Sequence, residues 1–128
     1  MIRLTNNIWI GGSDEKINNV YTLNIGAVLN VAQDLQGKCG WPDMEYMQVG
    51  LIDGPGNPIA AYHAAVLALA TLLKRSSVLI FCHSGGRSLA VALMYLHLTG
   101  GRGWDGRLAL LREQIEDELP VPHEEHRR

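Results

Sequence analysis

Val78-Leu79-Ile80-Phe81-Cys82-His83-Ser84-Gly85-Gly86-Arg87-Ser88 is an apolar strand that runs into a cysteine, a glycine-rich turn and an arginine-serine pair. Leu89-Ala90-Val91-Ala92-Leu93-Met94-Tyr95-Leu96 follows as a strong helical run, so the backbone N–H groups of the turn are expected to point at whatever sits over Cys82. A helix N-terminus carries about half a positive charge and favours anions. Such a setting favours thiolate over thiol, which is what makes a cysteine a nucleophile. Arg87 adds a planar fork of donors suited to two oxygens of an oxyanion. A structural cysteine above a plain Gly-Gly turn is the bland alternative. The ordered succession of buried strand, Cys82, four residues with two glycines, Arg87, Ser88 and helix favours the anion site.

Working outward, Ile8-Trp9-Ile10 before Gly11-Gly12 reads as a short strand. Ser13 is placed to cap a short helix carrying Asp14 and Glu15 in its first turn and ending near Asn24. Ala27-Val28-Leu29-Asn30-Val31 is a continuous apolar run, the pattern of a strand buried on both faces at the sheet centre. Glu45 to Leu51 alternates into a third strand, which leaves through Asp53-Gly54-Pro55-Gly56-Asn57-Pro58. Pro58 suits a first helical turn, and Ile59 to Leu73 places Tyr62, Val66, Leu69, Leu72 and Leu73 at helical spacing, with Lys74 and Arg75 at its end. A helix from Ser88 to about Leu98 follows Val78–Phe81, Gly100 to Gly103 break the chain, and Trp104 to Leu119 offers a last helix before Pro120 and Pro122.

Strands alternating with helices predict a single α/β domain over residues 1–119, a central, mostly parallel sheet flanked by helices, with 120–128 as a polar C-terminal tail. Ligands of such sheets bind beyond the carboxyl ends of the strands, where Cys82 falls.

A chain of 128 residues, 47% hydrophobic, has room for one core. The formal charge of −2 and pI near 6.2 argue against nucleic-acid or polybasic membrane binding, so any positive field is focal. No apolar stretch reaches the ~18 residues of a bilayer span, and Met1-Ile2-Arg3-Leu4 lacks a signal-peptide layout. The expectation is a soluble, cytoplasmic protein with no membrane or nucleic-acid partner. Cys39 and Cys82 do not make a disulfide scaffold, and Cys39 sits in the turn-like Gly37-Lys38-Cys39-Gly40-Trp41-Pro42 as an incidental loop thiol. Histidines 63, 83, 97, 123 and 126 show no metal spacing, and His123 and His126 lie in the polar tail, so neither metal nor cofactor is expected. Trp9, Trp41 and Trp104 read as packing residues. Oligomeric state is not encoded in any pattern here.

If the anion is a phosphate monoester, two tasks arise, because these esters hydrolyse very slowly unaided. The transferring phosphoryl group must be stabilised and the departing oxygen protonated. Asp53, in the glycine-containing loop after the third strand, is the acid candidate and Asp43 the second choice. Asp-Gly is also a common turn pair, so a turn-capping aspartate is the competing reading.

With these residues in place, the chain resembles the cysteine-dependent protein tyrosine phosphatases, most closely their compact dual-specificity branch. Leu4 to Gly11 resembles that branch's opening strand, Ile25 to Val31 its following strand, and the loop through Ser88 with its helix the signature segment. Asp53 falls where the general-acid loop lies. The resemblance implies that Cys82 attacks phosphorus and Arg87 binds equatorial oxygens. It implies that Asp53 protonates the leaving group and then activates water, and that the Ser88 hydroxyl helps release the thiol. The backbone of His83, Ser84, Gly85 and Gly86 would bind phosphate, and Asn30 would brace a loop or satisfy local backbone. The implied substrate is a phosphorylated protein side chain or a small phosphoester.

Two features depart from that pattern. Phe81 stands where the family has histidine, and four residues instead of five separate Cys82 from Arg87. At about 3.5 Å of contour per residue, one deletion is large for a cradle around a single phosphate. Gly85 and Gly86 can absorb it through φ values closed to other residues. A four-residue interval also resembles the active loop of rhodanese-like sulfurtransferases, where the cysteine carries a persulfide and no general acid is needed. A phosphate-binding pseudophosphatase without turnover is the third reading.

Overall fold

The computed structural model describes residues 2–12, 23–35, 44–83 and 86–99. The elements are β1 (Ile2–Arg3), β2 (Ile8–Gly11), β3 (Ala27–Ala32), β4 (Glu45–Leu51), α1 (Ile59–Leu73), β5 (Val78–Phe81) and α2 (Gly86–Leu98). The readings that fall on 13–22, Cys39, Trp41, Asp43, Ser84, Gly85 and 100–128 lie outside the described residues.

Five strands form one sheet in the order β1-β2-β5-β3-β4. β1 runs antiparallel to β2, and every other neighbouring pair is parallel, as the alternating strand and helix signals predict. β3 is buried at all six positions, which its unbroken apolar run requires. The sheet centre, however, belongs to β5, with β3 beside it. A buried run reports only that neighbours lie on both sides, so it does not distinguish the middle strand from the next.

Strand alternation divides the sheet into two faces. Leu29, Val31, Val78, Ile80 and Cys82 join one cluster with Tyr62, Leu69 and Leu72 of α1 and Val91 and Leu96 of α2. Val28 and Leu79 point the other way and pack with Ile25, Met44, Trp9, Tyr46 and Phe81. Truncating a core residue such as Leu29 or Ile80 to alanine costs about 2–5 kcal/mol by loss of burial and creation of a cavity. Phe81 is thus a packing residue of the face opposite the cysteine. Trp9 is partly buried against the same cluster, and the Arg3 guanidinium lies 5.5 Å from its ring centroid.

α1 buries Tyr62, Ala65, Val66, Ala68, Leu69 and Leu72, one stripe at three- and four-residue spacing. Pro58 stands just ahead of it in extended conformation, and Lys74 closes it. Arg75 turns to Glu45 at 2.8 Å. α2 starts at Gly86, two residues earlier than expected, which brings Arg87 and Ser88 into its first turn.

One irregularity positions the site. Asn30 of β3 is in register with Gln48 of β4, but Ala32 is in register with Leu51, so β4 carries an extra residue. A bulge of this kind bends its strand and re-aims the residues beyond it. Among the described residues, no helix is long and apolar enough to cross a membrane.

Candidate active site

Cys82 follows β5 directly, and its backbone N–H donates to the Gly11 carbonyl at 3.2 Å, extending the β2–β5 pairing by one residue. Its side chain is 1% exposed and lies in the core cluster under both helices. The thiol therefore sits at the floor of the carboxyl-terminal edge of the sheet, where a ligand of a parallel α/β sheet is expected.

Arg87 is buried to 2% exposure, unusual for a side chain that is always charged. Burial of a guanidinium demands partners, and Nη1 has two. It donates to Asp34 Oδ1 at 2.9 Å and to the Leu51 carbonyl at 2.7 Å. These two acceptors use both Nη1 hydrogens. Among the described residues, Nη2 and Nε have no acceptor, which leaves the other edge of the fork for an oxyanion.

Asp34 also accepts from His83, with Nε2 at 2.8 Å from Oδ2. One carboxylate thus ties the residue after Cys82 to the arginine at the far end of the loop. The hydrogen bond from Arg87 is the main cause holding the Asp34 carboxyl below its ordinary value of 3.8, with the charges of Arg87 and His83 acting in the same direction. Asp34 itself is 57% exposed while Arg87 is sealed, so the carboxylate spans the boundary between solvent and core.

The turn bearing Asp34 is held from below. Asn30 Nδ2 donates to the Leu35 carbonyl at 2.8 Å and to Tyr46 Oη at 3.0 Å, and its Oδ1 accepts from the Ala32 N–H at 2.9 Å. Gln48 Nε2 donates to the Ala32 and Leu35 carbonyls at 3.0 and 2.8 Å. The Gln33 N–H donates to the Leu51 carbonyl at 3.0 Å, so that oxygen serves Gln33 and Arg87 together. Asn30 thereby braces the turn that carries Asp34.

Asp53 lies exposed in the loop after β4. Asn57 organises this loop. Its Oδ1 accepts from the Ile52 N–H at 2.8 Å, and its Nδ2 donates to the Ile52 carbonyl at 2.7 Å and to the Gly54 carbonyl at 3.4 Å. Gly54 takes φ of 95°, open to glycine at little cost. The carbonyl of Leu51, two residues before Asp53, accepts from Arg87, so the loop departs close to that guanidinium.

Ser88 is fully buried in the first turn of α2, and among the described residues its Oγ has no hydrogen-bond partner. Gly86 opens the helix. Of the residues singled out from sequence, Cys82, His83, Gly86, Arg87 and Ser88 are gathered by the β5–α2 junction, with Asp53 in the neighbouring loop. Asp34 and Asn57 are additions made by the three-dimensional structure. Among the described residues, no three His, Cys, Asp or Glu side chains group as metal ligands would.

No protein-family model and no curated protein matches this sequence. Solved structures do. Human DUSP28 superposes with a TM-score of 0.72 at 18% identity, over 95% of this chain and 88% of that one. DUSP15 gives 0.70 at 17% identity, over 95% and 80%. A candidate mouse dual-specificity phosphatase, complexed with zinc tungstate, gives 0.69 at 21% identity, over 92% and 77%. The chain has the fold of the cysteine-based dual-specificity phosphatases.

Proposed function

We propose that this protein is a phosphomonoesterase that works through a cysteinyl-phosphate intermediate. The observation that carries the reading is the state of Arg87. It is a buried guanidinium with both Nη1 hydrogens committed to Asp34 and Leu51 and its other edge without an acceptor among the described residues, in the first turn of the helix that follows the buried Cys82. A tetrahedral oxyanion over Cys82 supplies what that edge lacks.

In the first step the Cys82 thiolate forms a bond to phosphorus as the bond from phosphorus to the leaving oxygen breaks. The Asp53 carboxylic acid gives that oxygen its proton. In the second step water attacks phosphorus, Asp53 takes the proton from that water, and the sulfur–phosphorus bond breaks. Inorganic phosphate leaves and Cys82 returns as thiolate, accepting a hydrogen bond from Ser88. Throughout, Arg87 and the backbone N–H groups of His83, Ser84, Gly85 and Gly86 hold the equatorial oxygens.

The substrate class that fits is a phosphorylated protein side chain or a small phosphoester. The fold shared with dual-specificity phosphatases supports it, as does the tungstate complex of the mouse neighbour, since tungstate is a tetrahedral oxyanion.

The four-residue interval between Cys82 and Arg87 favours a second reading, sulfur transfer through a Cys82 persulfide. Comparing aryl phosphate hydrolysis with thiosulfate-to-cyanide sulfur transfer, for the wild type, Cys82→Ser and Asp53→Asn, separates the two. Phosphate release abolished by Cys82→Ser and slowed by Asp53→Asn is expected. Phosphate release that survives Cys82→Ser rules the mechanism out, and sulfur transfer without phosphate release selects the second reading.

A further inference from the structure

We infer that Asp34 is a positioning residue of the anion site, a single carboxylate that clamps both ends of the shortened cysteine loop and fixes the rotation of Arg87. The inference rests on the oxyanion-binding reading above and deepens it.

Oδ2 holds His83, the first residue after Cys82, and Oδ1 holds Arg87, which closes the loop. A loop with four residues between its cysteine and arginine offers one backbone N–H fewer than a loop with five. More of the burden of holding the anion then falls on the guanidinium. A guanidinium is useful only in one rotational setting, because its two-pronged edge must lie in the plane of the oxygens it binds. Two acceptors on one nitrogen, Asp34 Oδ1 and the Leu51 carbonyl, define that plane. Leu51 alone would leave the fork free to pivot about a single contact.

The position of Asp34 is itself built. Asn30 and Gln48 both grip the Leu35 carbonyl, and Gln48 also grips that of Ala32, so the turn is fastened on either side of the carboxylate. Asp34 itself is more than half exposed, although the Arg87 it holds is buried. This fastening of an exposed side chain is accounted for by the groups it holds.

Electrostatics and positioning make opposite predictions here. A negative charge next to an anion site repels the anion, so if Asp34 acts only as a charge, its removal tightens binding. If it positions Arg87, its removal weakens binding. Asp34→Asn separates the effects, because the amide oxygen still accepts from Arg87 Nη1 while the charge is gone.

Inorganic phosphate binding by titration calorimetry, aryl phosphate kcat and KM, and melting temperature would be measured for the wild type, Asp34→Ala and Asp34→Asn. Asp34→Ala is expected to weaken phosphate binding and kcat/KM by about tenfold or more, the size of one charged hydrogen bond, and to lower the melting temperature because buried Arg87 loses a partner. Asp34→Asn is expected to recover most of the binding. Phosphate binding in Asp34→Ala equal to or tighter than wild type overturns the clamp, and if hydrolysis persists there the phosphatase reading stands without it. Clamp-dependent phosphate binding with no hydrolysis by the wild type keeps the clamp and overturns the phosphatase reading. A wild type that binds no phosphate overturns both.

Discussion

The Arg87 Nη1 atom lies 2.7 Å from the carbonyl oxygen of Leu51, and this contact joins the first turn of α2 to the strand from which the Asp53 loop departs. The acceptor is a backbone atom, so the contact survives any substitution at position 51 that keeps the strand. It does not survive a change of donor. Lysine offers a compact charge with no planar fork, and it cannot serve Leu51, Asp34 and an anion in one plane. Arg87→Lys is therefore expected to lower kcat/KM for aryl phosphates by about 100- to 1000-fold, the scale of losing a preorganised oxyanion donor. Activity within a few-fold of wild type would show that the guanidinium is not the partner of the transferring group.

Gly50 sits in the bulged part of β4, against the turn that carries Asp34. A Cβ there would lie 3.0 Å from the Cα of Gln33 and 3.1 Å from its Cβ. The nearer of these two atoms belongs to the backbone, so relief requires the turn to move. Gly50→Ala is expected to cost about 1–3 kcal/mol in urea denaturation, as overpacking commonly does. It should also weaken phosphate binding several-fold by shifting Asp34. Stability lost with phosphate affinity intact would separate the turn from the site.

Asn57 closes the Asp53 loop by bonding to both polar groups of Ile52, much as a neighbouring strand would. Asn57→Ala strips the loop of that closure and should cost about 1–3 kcal/mol. The kinetic signature is more telling. Loosening the acid should slow esters with poor leaving groups far more than activated aryl esters, because only the former need full protonation of the departing oxygen. Phosphate affinity should hold. An equal loss across a leaving-group series would remove Asp53 from the acid role.

These residues mark the limit of what the chain displays in one dimension. Ala27–Ala32 and Val78–Phe81 announce themselves because burial on both faces leaves an unbroken apolar run, and Cys82 through Ser88 because strand, glycines, arginine and helix adjoin. Asp34 meets Arg87 across 53 residues of sequence, and no local period reports such a pair. A usable signal did exist, since Asp34 lies just past the carboxyl end of a buried strand, the same placement that marks Cys82. Asn57 lay hidden among ordinary turn residues before Pro58. The bulge before Leu51 arises from strand register, which is settled by packing between strands and not by either strand alone.

Asp34 gives the site an acid limit. Its carboxyl is held below the ordinary 3.8, chiefly by the Arg87 hydrogen bond, so the folded state favours the ionised form. A depressed folded value means the stabilisation is present above the unfolded value and disappears as pH falls through the folded one. The stability gap between wild type and Asp34→Asn is therefore expected to shrink as pH falls below about 4, the ordinary range of aspartate. Denaturant titrations at stepped pH measure it. A gap that widens on acidification would mean that the carboxylate is not the stabilising form.

Ser88 carries a buried hydroxyl that, among the described residues, is without a hydrogen-bond partner. Leaving such a group unsatisfied costs about 1–3 kcal/mol, so alanine at this position should make the fold more stable by about 1 kcal/mol. A residue whose removal stabilises the protein points to a use outside folding. In the proposed cycle that use is to donate to the Cys82 sulfur as the sulfur–phosphorus bond breaks. Ser88→Ala is then expected to release the first equivalent of aryl alcohol at the wild-type rate and to turn over slowly afterwards, a burst visible in rapid-mixing experiments. A stabilised variant with unchanged steady-state turnover would leave the hydroxyl without a part in dephosphorylation. A destabilised one would show that it has a partner in the folded protein.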